Sequence, residues 1–264
     1  MITIAIANQK GGVGKSTTTA MLGTELARRD YETLVVDADP QANATQIFLA
    51  PEHIQFSLAD VVLSSGAKSM VETRMMTEVQ HLDIVPATLQ LANFDREPAL
   101  SVTKLRGALR DVADSYDFCL IDTPPNFGLL LTSALTAATH VLVPVQAAPF
   151  ALNGLADLLK VIEDARELNE RLSVLGAVCT IYDTRVSVAG ASYKTLTEML
   201  PGHTFETIIH RTTKLEEAPS MHQPVQLYAP NSRAAEQYSS LCDEVLDKLS
   251  VAAKGSPLKA VGSK

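Results

Sequence analysis

The chain has 264 residues, 46% of them hydrophobic, which is enough for one substantial core and is most economically read as a single α/β domain. Its net charge of −8 and pI near 5.3 argue against a protein that coats nucleic acid with its whole surface, and leave room only for a local basic patch. Cys119, Cys179 and Cys242 are odd in number and widely spaced, so they offer neither a disulfide framework nor a C-x-x-C metal or redox pair, and read as small buried hydrophobes in a reducing cytoplasm.

The first apolar run, Ile2 to Ala7, begins after one residue with no basic segment before it, so no signal peptide is expected. QKGGVGKS follows directly and leads into TTTAMLGTELARR, which has the composition of a helix. Strand, glycine loop and helix in that order are the context that a phosphate-binding loop of the G-x-x-x-x-G-K-[ST] kind requires. Gly11, Gly12 and Gly14, with Val13 between them, let backbone N–H groups converge on phosphates, and the helix opening at Ser16 and Thr17 adds its positive end. Lys15 is expected on the β- and γ-phosphates of ATP, and the Ser16 hydroxyl on Mg²⁺. Lys10 raises a separate question. It sits among the glycines, where it cannot easily reach the same phosphates from inside.

Acidic residues follow at strand ends. Thr33 to Val36 reads as a strand, and VVDADPQAN places Asp37 and Asp39 just beyond it. After a further strand at Leu82 to Val85 and a helical stretch at Val102 to Ser115, the run Phe118 to Ile121 delivers Asp122 in CLIDTPPN. Carboxylates at the ends of parallel strands point toward a phosphate loop. Asp122 fits a Walker B role, holding Mg²⁺ through water, and Asp39 is placed to act at the metal and orient the attacking water. An Asp after a strand can also simply cap the next helix, and that reading stands beside the functional one.

From Thr123 to Ala156 there is no Asp, Glu, Lys or Arg, but prolines, Gly128, Asn126, His140, Gln146 and Asn153 interrupt the run. No window of about 20 residues is uniformly apolar, so the segment reads as a buried helix, Leu129 to Ala138, leading into a central strand. Val141 to Val145, Val174 to Thr180 and Thr204 to Ile209 complete the strands, with helical segments at Thr17 to Arg29 and Leu155 to Asn169. Continuous apolar strands separated by helices predict a doubly wound, mostly parallel sheet covered on both faces, with ligands at the carboxyl ends of the strands. AAEQYSSLCDEVLDKLS carries Tyr238, Leu241, Cys242, Val245 and Leu249 on one helical face, but its polar face is acidic. Anionic lipid would repel it, so it is expected to pack on the core. Residues 1–250 are expected to form one phosphate-loop ATPase domain. The last residues, 251–264, combine Gly, Pro, Ser and three lysines without apolar periodicity and read as a flexible tail.

Taken together, KGGVGKST, DADPQANAT, DTPPN, PVQAAPFALNGL, KLEEAPS and PVQLYAPNSRAAEQY resemble the ParA family of deviant-Walker DNA-partition ATPases, from Met1 to about Leu249. Gln9 stands where an ordinary Walker loop has its first glycine, as in that deviant subgroup. The resemblance implies a role for Lys10: the matching lysine reaches across a dimer interface to the partner's ATP, so that two nucleotides are sandwiched between two subunits. It also implies weak, stimulated ATP hydrolysis, non-specific DNA binding, a ParB-like or other small basic activator, and a cytoplasmic, nucleoid-associated protein without membrane attachment. The DNA surface in the family lies toward the C-terminal part, which points to Arg211, Lys214 and Arg233, near His210. Alternatives within the resemblance are positioning of a protein cargo, such as carboxysomes or chemoreceptor clusters, or a MinD-like membrane switch. A small-molecule kinase or ligase, or an iron–sulfur carrier, is a further class; the carrier would need paired cysteines.

Overall fold

A computed structural model of the chain describes residues 1–147, 153–186 and 188–251. One eight-stranded sheet runs through it: β1 (Ile2–Ile6), β2 (Thr33–Asp37), β3 (Met75–Met76), β4 (Leu82–Val85), β5 (Phe118–Asp122), β6 (His140–Gln146), β7 (Ser173–Tyr182) and β8 (Thr204–His210). The order across the sheet is β3-β4-β2-β5-β1-β6-β7-β8, and every pairing is parallel except β3 with β4. The seven longer strands were expected. The edge strand β3 was not, because two residues, one of them the exposed Met76, carry no periodicity to read.

Burial explains the uniform apolar runs. Along β1, Ile4 and Ile6 enter one core and Ala5 enters another on the opposite face, and all three are fully buried. In β2, Val35 joins the first core while Leu34 and Val36 enter a third. A strand covered on both sides has no polar face to show. Each buried isoleucine or leucine contributes about 2 kcal/mol of transfer free energy.

The first face is covered by α1 (Lys15–Ala27) and the C-terminal helix Arg233–Lys248. Tyr238, Leu241, Cys242 and Val245 of that helix are buried in the same core as Ile4 and Ile6, as the sequence predicts, and Leu249 packs at its margin. The two helices are tied by Arg29, which bonds the Ser239 carbonyl at 3.0 Å and the Asp243 carboxylate at 2.7 Å. On the other face lie the helices Leu129–Ala137 and Asn153–Arg166, the first running from the Asp122 loop into β6 as expected for the uncharged stretch. The helix expected over Val102 to Ser115 is instead three pieces: a 3-10 turn Ala99–Thr103, an α-helix Lys104–Arg110 and a 3-10 turn Ala113–Ser115. Gly107 in its middle and the β-branched residues at both ends weaken a continuous helix here. Residues 252–264, including Lys254, Lys259 and Lys264, lie outside the described residues. Among the described residues no helix is long and apolar enough to cross a membrane.

Candidate nucleotide site

The carboxyl ends of β1, β2, β5, β6, β7 and β8 meet at one edge of the sheet, and the glycine loop after β1 lies there. Asn8 anchors its base: the side-chain amide donates to the Pro144 carbonyl of β6 at 2.7 Å, and its oxygen accepts the Lys10 N–H at 2.9 Å. Gly12 and Gly14 hold φ of 71° and 85°, a backbone conformation that costs other residues about 1 kcal/mol or more. α1 then starts with no side-chain cap and no acid in its first turn. Its free N–H groups and positive dipole end are therefore available to an anion.

Three carboxylates approach this loop, and each has a different environment. Asp37 is fully buried and saturated: it accepts the Asp39 N–H at 3.0 Å, the Thr45 N–H at 2.8 Å and the Thr45 hydroxyl at 2.7 Å. Burial pushes its pKa up to about 6 against those three donors. Its work is structural, fixing the Asp39 loop and the start of α2 (Asn43–Phe48). Asp39 itself lines the cleft and is 5% exposed, with one carboxylate oxygen receiving the Gln41 N–H at 2.9 Å.

Asp122 is buried behind α1. Its Oδ1 accepts the Thr19 hydroxyl at 3.3 Å, while Oδ2 has no hydrogen-bond partner. Burial drives its pKa well above the ordinary carboxylate range, the Asp37 charge adds to this, and the Ser16 hydroxyl and Lys15 ammonium oppose it. A buried acceptor left open beside a hydroxyl is the arrangement a magnesium hydration shell would complete. Ser16 and Asp122 therefore fit Mg²⁺, with Asp39 across the cleft. Lys15 is 7% exposed; burial lowers its pKa, Asp122 and Asp39 pull it back, and its ammonium donates to the Lys10 carbonyl at 3.3 Å.

The cleft has a volume of about 460 Å³. Gly11, Gly12, Gly14, Lys15, Ser16 and Thr17 line its phosphate end. Ile181, Ile209, Leu215 and Pro219 line another part, an apolar wall of a kind suited to a nucleobase that the sequence reading did not identify. Ile181 and Ile209 read only as strand residues of β7 and β8, and Leu215 and Pro219 fall in the KLEEAPS motif without any signal that they face a cleft. Val13 is fully buried and can contribute only its backbone.

Lys10 is absent from the cleft lining. Its ammonium reaches the Gln146 side chain at the end of β6, 3.3 Å away. The three cations proposed for DNA also separate. Arg211 lines the cleft itself and pairs with Glu216 at 3.6 Å. Lys214 pairs with Glu217 at 2.8 Å, and Arg233 donates to His210 Nε2 at 2.9 Å. His210 is a cleft residue that precedes Arg211 and bonds Arg233, and Lys214 stands on the following short helix, Thr213–Glu217.

A glycine loop between a buried strand and an uncapped helix, with a buried lysine and strand-end carboxylates, defines a phosphate-loop nucleotide-binding protein. Comparison with known proteins makes the class specific. A family model described as "AAA domain" matches residues 1–174. The sporulation initiation inhibitor protein Soj of Bacillus subtilis (strain 168) is 38% identical over 247 residues, covering 92% of this chain and 97% of that protein. The chromosome partitioning protein ParA of Caulobacter vibrioides (strain NA1000 / CB15N) is 37% identical over 252 residues, covering 93% and 94%. Cobyrinic acid a,c-diamide synthase from Mycobacterium smegmatis, solved with bound ATP analog and magnesium, superposes with a TM-score of 0.81 at 28% identity, covering 95% of this chain and 96% of that one. The chain belongs to the Soj/ParA family of chromosome-partitioning ATPases.

Proposed function

We propose that this ATPase is a dimeric switch that moves or positions DNA: with ATP and Mg²⁺ it forms a nucleotide sandwich that binds DNA without sequence preference, and an activator protein triggers hydrolysis that opens it. The observation that carries the reading is the position of Lys10. Its ammonium is bonded to Gln146 at the end of β6 and is absent from the lining of the cleft that holds Lys15, which supports a role toward a neighbour's phosphates. A cation supplied in trans neutralises phosphate charge that Lys15 cannot cover, and makes the nucleotide the adhesive between two subunits. The ATPase unit in this reading spans residues 1–250, and the protein is cytoplasmic and associated with the nucleoid.

Within the cleft, Lys15 and the loop amides bind the phosphates, and Ser16 and Asp122 hold Mg²⁺, which supplies charge neutralisation at the transferring phosphoryl group. Asp39, held by the Gln41 amide, orients the attacking water. A protein of net charge −8 binds DNA only through a clustered cationic face, and dimerisation doubles it. Arg211, Lys214 and Arg233 from two subunits would exchange Glu216, Glu217 and His210 for DNA phosphates.

The test is binding to random-sequence duplex as a function of nucleotide and salt. ATP and not ADP should promote it, with a slope of log K against log[salt] of about −5, from roughly −0.9 per phosphate contact. Equal affinity with either nucleotide would overturn the switch. An ATP dimer that ignores DNA would move the reading to a protein cargo.

A further inference from the structure

A phosphate cradle depends on the orientation of its peptides as much as on its glycines. Each planar trans peptide carries its N–H opposite its C=O, so a loop that presents N–H groups must hold the carbonyls of the same units turned away. The unit joining Val13 to Gly14 is poorly able to do this alone. Gly14, at φ 85°, accepts either sign of φ, so its own backbone preference does not hold this peptide in one orientation. Flipped, the Val13 carbonyl would set a partial negative charge against an incoming phosphate.

The restraint comes from 167 residues further along the chain. The Thr180 hydroxyl, near the end of β7, donates to the Val13 carbonyl at 2.8 Å, and both residues are buried. Thr180 is itself held in the sheet: it is the register partner of Gln146, and its carbonyl accepts the Ala147 N–H at 3.2 Å. The next residue, Ile181, lines the cleft with φ of 51°, a conformation that a β-branched side chain adopts only under strain. β7 also loses its regular register with β8 between Cys179 and Tyr182. The strand thus departs from regular geometry immediately beside the residue that grips the loop.

We propose that Thr180 is a positioning residue for nucleotide binding: its hydroxyl clamps the Val13 carbonyl outward and thereby keeps the Gly14 N–H presented to the phosphates. The proposal rests on the glycine loop being the nucleotide cradle. Thr180→Val keeps the side-chain shape and removes the donor, leaving a buried carbonyl that gains by flipping. It should weaken binding of ADP and of ATP about tenfold, the effect of one buried neutral hydrogen bond left unmade. Thr180→Ser should restore parental affinity, and Thr180→Cys, a weak donor, should fall between.

The measurement is a titration with fluorescent ADP, together with the ¹⁵N–¹H cross-peak of Gly14 in labelled protein. The parent and the Ser variant should show a large ADP-induced shift of that amide, and the Val variant should not. A role confined to packing would leave the Gly14 shift unchanged. Parental ADP affinity in Thr180→Val, or failure of Thr180→Ser to restore binding, would overturn the clamp while leaving the cradle intact. If Thr180→Val does not fold, the Cys variant decides: parental affinity there overturns the clamp, and an intermediate loss with the Gly14 shift reduced supports it. A parental protein that does not bind ADP would overturn the cradle and the clamp with it.

Discussion

Asp37 and Asp122 are register partners on the adjacent parallel strands β2 and β5, both with fully buried side chains, yet one carboxylate is saturated with donors and the other has an oxygen with no partner. Two chemically identical groups side by side therefore do different work. Their amide substitutions should separate the roles. Asp37→Asn turns an NH₂ toward at least one backbone or hydroxyl donor and should cost about 1–3 kcal/mol in denaturant unfolding. Asp122→Asn replaces a buried carboxyl whose Oδ2 has no hydrogen-bond partner, so stability should hold or rise while Mg²⁺-dependent ATP affinity falls. Matching stability losses in the two variants would refute the division.

Lys15→Ala should lose nucleotide affinity itself, since the buried ammonium lines the cleft together with the glycines of the phosphate loop. Lys10→Ala should leave that affinity within a factor of about two, because its ammonium is bonded to Gln146 at the end of β6. Titration of each variant with fluorescent ADP checks both statements.

His210 should report on Arg233. Burial lowers the His210 pKa and the Arg233 charge lowers it further, against the Ile208 carbonyl. A folded-state pKa below the unfolded value means that the unfolded chain binds more protons, so this site's contribution is complete above the unfolded pKa of about 6.5 and is lost as pH falls from there through the lower folded-state pKa. Protonation also ends the acceptor role of Nε2 and frees the Arg233 guanidinium. Proton NMR should place the His210 titration below the ordinary histidine value, and Arg233→Ala should move it up. No movement in that variant would break the link.

Arg233→Glu should weaken ATP-dependent DNA binding at least tenfold and leave nucleotide affinity unchanged, because Arg233 bonds His210 and does not line the cleft. Arg211→Glu should disturb both, because Arg211 does line it. Filter binding and nucleotide titration on the two variants give the comparison, and identical profiles would contradict the placement.

Much of this was legible in the sequence. Central strands such as β1, β2 and β5 were readable because both faces are covered, so apolar residues run on without alternation, and the phosphate loop was readable because its glycines and lysine are contiguous. Asp37, Asp39 and Asp122 look alike in sequence; what separates them is which amides and hydroxyls face each one, a property of loops that close only in the fold. Thr180 was hidden for a related reason: as the end of an apolar strand it reads as core, and its partner Val13 lies across the sheet. Arg211 was expected on the DNA surface, but it directly follows β8 and lines the same cleft as the phosphate loop.

The most direct test of the nucleotide sandwich is the mass of Asp39→Ala in Mg²⁺ and ATP, measured by light scattering behind a sizing column, with and without Lys10→Ala. If Asp39 positions the water as proposed, its loss should trap a dimer of the 28.4 kDa chain, and adding Lys10→Ala should return it to a monomer with nucleotide still bound. A double variant that stays dimeric, or a single variant that never dimerises with ATP bound, would contradict the account.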